Sequence, residues 1–158
     1  ALFARIAGAE VHLMDLSAKR LSAAAELFGF HDTHQPGDTI LTGDLAEGFD
    51  AVFDATGNAT AIEAGFPLVA HGGITVLVSV VKESITFADS EFHKRESQII
   101  GSRNALKADF DRVMAAIRAG EVPTDAIASA VLPLADLPAQ FADLTKAHDH
   151  LIKVLVTP

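Results

Sequence analysis

Apolar runs and amphipathic segments alternate along this chain, and their periods predict its first two elements. The run Val11–Met14 ends at Asp15, which is typical of a buried strand. Ser17 then stands as a helix-capping residue, and Gly29 stands where a left-handed C-terminal residue is expected. Between them one apolar face recurs at helical spacing, in Leu21, Ala24, Ala25 and Phe28. The pattern predicts a strand followed by a helix.

The same pattern returns in the middle of the chain. Asp50–Asp54 is a second short strand, and the spacing predicts a helix over Thr60–Ala70 whose last turn Pro67 makes irregular. His71–Gly73 has the composition of a turn. The run Ile74–Val81 is continuously apolar apart from Ser79, which suits a strand covered on both faces and so a parallel sheet.

The remaining segments continue the alternation. They are a helix over Ala1–Ala7, a possible strand at Phe30–His34, a turn at Gln35–Asp38, an ambiguous stretch over Thr39–Glu47, a short helix over Phe92–Glu96, a strand at Gln98–Ser102, a helix through Phe110 that ends at Gly120, a strand at Ile127–Leu132, a helix carrying Leu137, Phe141 and Leu144, and a strand at Leu151–Val156. Alternating strands and helices predict an α/β fold with a doubly wound, Rossmann-type parallel sheet.

Composition excludes several classes of function. With 158 residues and 49% hydrophobic content the chain has the size of one globular domain. Its net charge of -9 excludes a nucleic-acid partner, and its longest apolar run is too short to cross a membrane. The chain has no cysteine, so it can form neither a disulfide nor a zinc–thiolate bond. We expect a cytoplasmic protein that binds small molecules or other proteins.

Asp15 is the first candidate for chemistry. In dinucleotide-binding folds an acid about 20 residues beyond a glycine-rich phosphate loop binds the adenosine ribose. Counting back from Asp15 places that loop before Ala1, and the uncapped helix at the start of the chain has the character of a helix cut in its middle. We therefore expect the first strand and the glycine-rich loop to be missing. A capping role for Asp15 at the helix near Ser17 explains the residue equally well.

Four sequence features together resemble the zinc-type medium-chain alcohol dehydrogenases. These are Asp15 with Arg20, Phe53-Asp54-Ala55-Thr56-Gly57, Gly72-Gly73 ahead of Val76-Leu77-Val78, and Ile100-Gly101-Ser102 before an amphipathic helix. The resemblance covers essentially the whole chain, and it is greatest to bacterial members that act on polyols and sugar acids. It implies that residues 1–158 are a truncated dinucleotide-binding domain, in which residues 125–158 or so return toward an absent catalytic domain.

The resemblance also implies a cofactor site. Asp15 would bind both ribose hydroxyls, with Arg20 beside them, and the other expected site residues are Thr56, Gly57, Val78, Ser79, Val80, Ser102, Arg103 and Lys153. Val78, Ser79 and Val80 match the place where the family holds the nicotinamide carboxamide, although the residue at Ser79 is often glycine there. Arg103 could also bind a substrate carboxylate, whereas a surface salt bridge is the simpler explanation for it.

The implied cofactor is NAD, because the carboxylate of Asp15 repels the 2′-phosphate of NADP. Two unit charges about 4 Å apart at an effective dielectric constant of about 20 repel by roughly 4 kcal/mol. Arg20 keeps NADP as an alternative, because an arginine there can accept the 2′-phosphate. Thr56 and Gly57 could instead form only a tight turn, and Lys153 could be a strand-edge lysine with its charged end in water.

In the parent enzyme that the resemblance implies, zinc polarises the oxygen of an alcohol, polyol or sugar acid, and its ligands lie outside this chain. We expect the chain alone to be catalytically inert, to bind NAD poorly, and to form homo-oligomers through the edge at Ile85–Phe87. The histidine and aspartate groups at 31–34 and 148–150 do not have the spacing of a metal site. A non-catalytic dinucleotide-sensing module and a methyltransferase-like domain with a closing antiparallel strand remain rival interpretations.

Overall fold

The computed structural model describes residues 1–146 and 151–158. The prediction that His148, Asp149 and His150 do not form a metal site therefore falls outside the described residues. The chain divides into two compact units. One contains Ala1–Asp38 and Leu106–Pro158, and the other contains Thr39–Ala105. The single-domain organisation remains a prediction.

Strands and helices alternate along most of the described chain, as the sequence predicted. The helices are α1 (Leu2–Ile6), α2 (Ala18–Phe28), α3 (Ala59–Gly65), α4 (Asp89–Lys94), α5 (Lys107–Arg118), α6 (Thr124–Ile127) and α7 (Leu137–Leu144). The strands are β1 (Leu13–Met14), β2 (Thr33–His34), β3 (Phe49–Asp54), β4 (Val69–Leu77), β5 (Gln98–Gly101), β6 (Ala130–Pro133) and β7 (Val154–Thr157). Short 3-10 turns lie at Gly43–Leu45 and Phe66–Leu68. None of the described helices combines the length and apolarity needed to cross a bilayer.

All described strand pairs are parallel, which confirms the predicted α/β class. In the first unit β1 pairs with β2, and β6 pairs with β7. In the second unit the order is β3-β4-β5, so β4 is the central strand. Parallel strands present their carboxyl ends at one edge, and this arrangement positions the loops that matter for function.

Helix α2 shows how the local sequence determines an element. The Ser17 hydroxyl accepts a hydrogen bond from the backbone N–H of Arg20 (3.3 Å), and Gly29 adopts φ 68° at the other end. Leu21 is buried, and Arg5 of α1 donates to the carbonyl of Phe28 (2.6 Å). The predicted cap, apolar face and stop are therefore all confirmed.

The predicted turn at His71–Gly73 is wrong, because these residues lie within β4. The helix before them ends at Gly65, and a 3-10 turn containing Pro67 leads directly into the strand. The pairing of β3 with β4 changes register there, from Phe49 opposite Val69 to Ala51 opposite Ile74. A β-carbon on Gly73 would lie 3.0 Å from the Asp50 carbonyl oxygen, so this glycine permits close approach of two strands.

Several other boundaries differ from the predictions. The strand predicted to extend to Val81 ends at Leu77, the short helix predicted from Phe92 to Glu96 runs from Asp89 to Lys94, and the strand predicted from Ile127 begins at Ala130 after α6. The last strand begins at Val154, because the N–H groups of Ile152 and Lys153 donate to the Ser129 hydroxyl (2.8 and 3.2 Å). Periodicity does not reveal hydroxyl acceptors of this kind.

We predict that Gly48→Ala destabilises the chain more than Gly37→Ala. Both glycines have positive φ (98° and 101°), so alanine at either costs about 1–2 kcal/mol of backbone strain. At Gly48 a β-carbon would also lie 2.7 Å from the Leu68 carbonyl oxygen, whereas at Gly37 no atom lies within 4 Å. Urea unfolding should give a loss above about 3 kcal/mol for Gly48→Ala alone. Equal losses in the two variants would contradict this account of the close approach.

Candidate functional site

Seven of the predicted site residues follow the carboxyl ends of β3, β4 and β5. Two backbone hydrogen bonds align these ends: the Val78 N–H donates to the Asp54 carbonyl, and the Ser102 N–H donates to the Leu77 carbonyl (both 2.8 Å). The residues grouped at this edge of the sheet are Thr56, Gly57, Val78, Ser79, Val80, Ser102 and Arg103. Parallel pairing thus brings together segments that are up to about fifty residues apart in sequence.

Asp54 organises this edge. Its carboxylate is buried at the end of β3 and accepts hydrogen bonds from the backbone N–H of Thr56 (3.0 Å) and from the Thr56 hydroxyl (3.1 and 3.0 Å to its two oxygens). The Ser79 hydroxyl lies 3.2 Å from the same carboxylate and 2.9 Å from the nitrogen of Gly57. Asp54 therefore connects the loop after β3 with the loop after β4. Sequence reasoning assigned Asp54 no role, because only the structure shows its burial.

The polar groups of this network bind one another. The Thr56 hydroxyl also accepts from the Asn58 N–H (3.2 Å), and Asn58 caps α3 by accepting from the Ala61 N–H (3.0 Å). The hydroxyls of Thr56 and Ser79 and the N–H of Gly57 thus serve to shape the loops. Beside them Val78 and Val80 are 49% and 92% exposed, so this edge presents apolar side chains next to a rigid polar turn.

The first unit contains a separate cluster at the carboxyl end of β1. Asp15 Oδ1 accepts from the Ser17 N–H (2.8 Å), and Asp15 Oδ2 lies 3.8 Å from Arg20 Nη1. The two side chains are 37% and 46% exposed, so solvent screens this pair. Ser17 itself is the helix cap, and Asp15 stabilises the turn before it. The capping and ribose-binding interpretations are therefore compatible, since one oxygen serves the turn and the other faces the cation.

The remaining basic candidates are on the surface. Arg103 is exposed directly after β5, and Lys153 is exposed directly before β7. Neither side chain has a hydrogen bond or an ion pair with the described residues. Their assignment to the site stays a prediction.

No metal site is present in the described part of the chain, since no group of three histidine, aspartate or glutamate side chains there could hold an ion. His34 instead contacts His12, with Nε2 of one ring 2.9 Å from Nδ1 of the other, so one ring donates to its neighbour. Residues 1–146 and 151–158 therefore offer no ligand set for zinc.

Comparison with known proteins decides the family. The sequence model described as "Zinc-binding dehydrogenase" matches residues 1–119. The chain belongs to the zinc-binding dehydrogenase family. Among its curated relatives is L-galactonate-5-dehydrogenase of Escherichia coli K12, which is 32% identical over an aligned length of 171 residues that covers 99% of this chain and 47% of the relative.

Solved structures show the same fold. An alcohol dehydrogenase from Escherichia coli CFT073 complexed with NADH superposes with a TM-score of 0.85 at 17% identity, over 99% of this chain and 47% of that one. A Sinorhizobium meliloti 1021 protein bound to NADP gives a TM-score of 0.84 at 24% identity, over 99% and 48%. The predicted Rossmann-type fold is thereby confirmed, and the zinc-binding dehydrogenase chain spans about half the length of its curated relatives.

The predicted oligomer edge of this zinc-binding dehydrogenase chain is attached to α3 by Glu63. One oxygen of Glu63 accepts from the backbone N–H of Thr86 (2.9 Å) and from its hydroxyl (2.8 Å). These bonds favour the ionised carboxylate and lower the pKa of Glu63 from its ordinary value of 4.5. Phe87 packs against Phe66 and Phe92, with ring centroids 5.6 and 4.9 Å apart. The three rings line a cavity of about 150 Å³ that contains none of the predicted site residues.

We predict that Glu63→Gln reduces the loss of stability in acid. A lowered folded pKa gives stability that is present above pH 4.5 and is lost as the pH falls through the folded value. The wild type should therefore lose more unfolding free energy than Glu63→Gln between pH 7 and pH 3, as measured by urea unfolding. Glu47→Gln, an exposed change of the same charge, is the matched control. Identical acid profiles for Glu63→Gln and Glu47→Gln would refute the assignment.

Proposed function

We propose that this chain is the cofactor-binding part of an NAD-dependent oxidoreductase that acts on an alcohol, a polyol or a sugar acid. The observation that carries the proposal is the Asp15 carboxylate at the carboxyl end of β1, in a chain that belongs to the zinc-binding dehydrogenase family. Ligands of doubly wound sheets bind at this end of the strands. The named activity of the galactonate dehydrogenase relative supports the substrate class.

Asp15 suits the ribose of NAD. Its Oδ1 is occupied by the Ser17 N–H, and its Oδ2 lies 3.8 Å from Arg20, which leaves that oxygen able to accept from a ribose hydroxyl. A 2′-phosphate in the same place would meet a carboxylate, with only partial compensation from an exposed guanidinium. We therefore propose NAD as the preferred cofactor and NADP as the weaker one.

The second cluster suits the nicotinamide end. Val78 and Val80 offer apolar contact to a flat ring beside the turn held by Asp54. When bound, the nicotinamide exchanges hydride with a carbon of the substrate. Arg103 and Ser102 follow β5 at the same edge, and a guanidinium suits the carboxylate of a sugar acid. The described residues include no zinc ligand set, so we expect weak cofactor binding but no alcohol oxidation from the chain by itself.

We predict that Asp15→Asn weakens NAD⁺ binding about tenfold, because a hydrogen bond to an ionised, half-exposed acceptor is replaced by a neutral one. NMR titration of the ¹⁵N-labelled chain with NAD⁺ and NADP⁺ measures both affinities and locates the shifted amides. Wild type should prefer NAD⁺, with shifts near Ser17 and Arg20, and Asp15→Asn should reduce that preference.

The matched control is Asp32→Asn, which removes the same charge from an exposed position. Unchanged NAD⁺ affinity in Asp15→Asn would contradict the role of Asp15. Absence of any shift at millimolar NAD⁺, together with shifts caused by S-adenosylmethionine, would favour the methyltransferase interpretation over the proposed function.

We also propose that the chain forms a homo-oligomer through the segment Ile85–Phe87. Glu63 holds this segment in place before any partner arrives, which lowers the entropic cost of pairing. Sedimentation equilibrium should give a multiple of the 16.6 kDa chain mass, and Ile85→Lys should shift it to the monomer. Monomeric wild type would contradict this proposal without affecting the cofactor proposal.

A further inference from the structure

The buried carboxylate of Asp54 accepts hydrogen bonds from hydroxyl and N–H groups, and it forms no ion pair within the described residues. Ion pairs occur elsewhere on the described chain, whereas Asp54 is 8% exposed and is bound by Thr56 and Ser79 alone. Burying a carboxylate without a counter-charge is costly unless several hydrogen bonds compensate. A neutral residue would complete a simple turn at lower cost, so the charge indicates a more specific role.

The single proton of the Ser79 hydroxyl explains how Asp54 acts on the neighbouring loop. The Ser79 O–H donates to the Asp54 carboxylate, which leaves its oxygen lone pairs for Gly57. The Gly57 N–H then donates to Ser79 Oγ at 2.9 Å. Gly57 adopts φ 67°, and the loop after β3 is thereby fixed against the loop after β4.

We propose that Asp54 is a positioning residue for the nicotinamide end of the cofactor, and that it acts through Ser79. By fixing the direction of the Ser79 hydroxyl, Asp54 holds the Thr56–Gly57 turn and the Val78–Val80 segment at a set separation. This preorganised edge receives the flat ring without further ordering of the loops. The inference rests on the proposed function, since it concerns the same cofactor site.

The experiment compares Ser79→Ala, Ser79→Thr and Asp54→Asn with the wild-type chain. Ser79→Ala removes the hydroxyl, whereas Ser79→Thr retains it. Ser90→Ala, an exposed serine of α4, is the matched control. Amide hydrogen exchange at Gly57 is measured without cofactor. NADH affinity is measured by fluorescence, either on variants whose urea midpoint equals that of the wild type or at urea concentrations below the midpoint of the variant.

Ser79→Ala and Asp54→Asn should each raise the Gly57 exchange rate about fivefold to tenfold and weaken NADH binding by a similar factor. Ser79→Thr should restore both values, and Ser90→Ala should change neither. If Asp54 had only a structural role, the variants would change the unfolding midpoint. Gly57 exchange and NADH affinity would then not change together, and Ser79→Thr would not restore them.

The outcomes separate the two proposals. If wild type binds NADH and Ser79→Ala binds it equally well, the positioning role of Asp54 is wrong while the proposed function stands. If Gly57 exchange is unchanged in Ser79→Ala, the hydrogen-bond relay is wrong. If wild type shows no NADH binding, the proposed function is overturned and the nicotinamide role of Asp54 falls with it.

Discussion

The alignment of the carboxyl ends of β3, β4 and β5 is the constraint on which the second unit depends. The ladder between Asp54 and Leu77 sets where each strand stops, and the backbone bonds from Val78 and Ser102 extend that alignment by one residue. Because the loops leave from these fixed ends, the short side chains of Thr56 and Ser79 can both reach the Asp54 carboxylate. Without the ladder, nothing would bring residues about twenty positions apart in sequence into contact.

Two acids at the ends of strands show how much of the candidate site can be predicted from the sequence. Asp15 and Asp54 each follow an apolar run and precede a capped helix, so their local sequences have the same form. In the structure Asp15 is half-exposed beside Arg20, whereas Asp54 is buried among hydroxyls. One of the partners of Asp54 is Ser79, a residue 25 positions away, and periodicity carries no information about such long-range contacts.

Elements with strong local signals were predicted well, including α2 between Ser17 and Gly29 and the strand ending at Asp54. The turn assigned to His71–Gly73 failed because glycine serves two purposes, and here close approach of β3 to β4 outweighed turn formation. The start of β7 failed for another reason, since one hydroxyl of Ser129 takes the N–H groups that would have extended the ladder. In each case a nonlocal contact outweighed the local preference.

The two acids also lie on different compact units, Asp15 on the first and Asp54 on the second. Each acid has its hydrogen-bond partners within its own unit, since Asp15 accepts from Ser17 and Asp54 accepts from Thr56 and Ser79. Replacing Asp15 or Arg20 therefore removes no hydrogen bond from the turn that Asp54 holds after β3. The turn after β1 is consequently the place where side chains can be redesigned while the hydrogen bonds between the loops after β3 and β4 are kept.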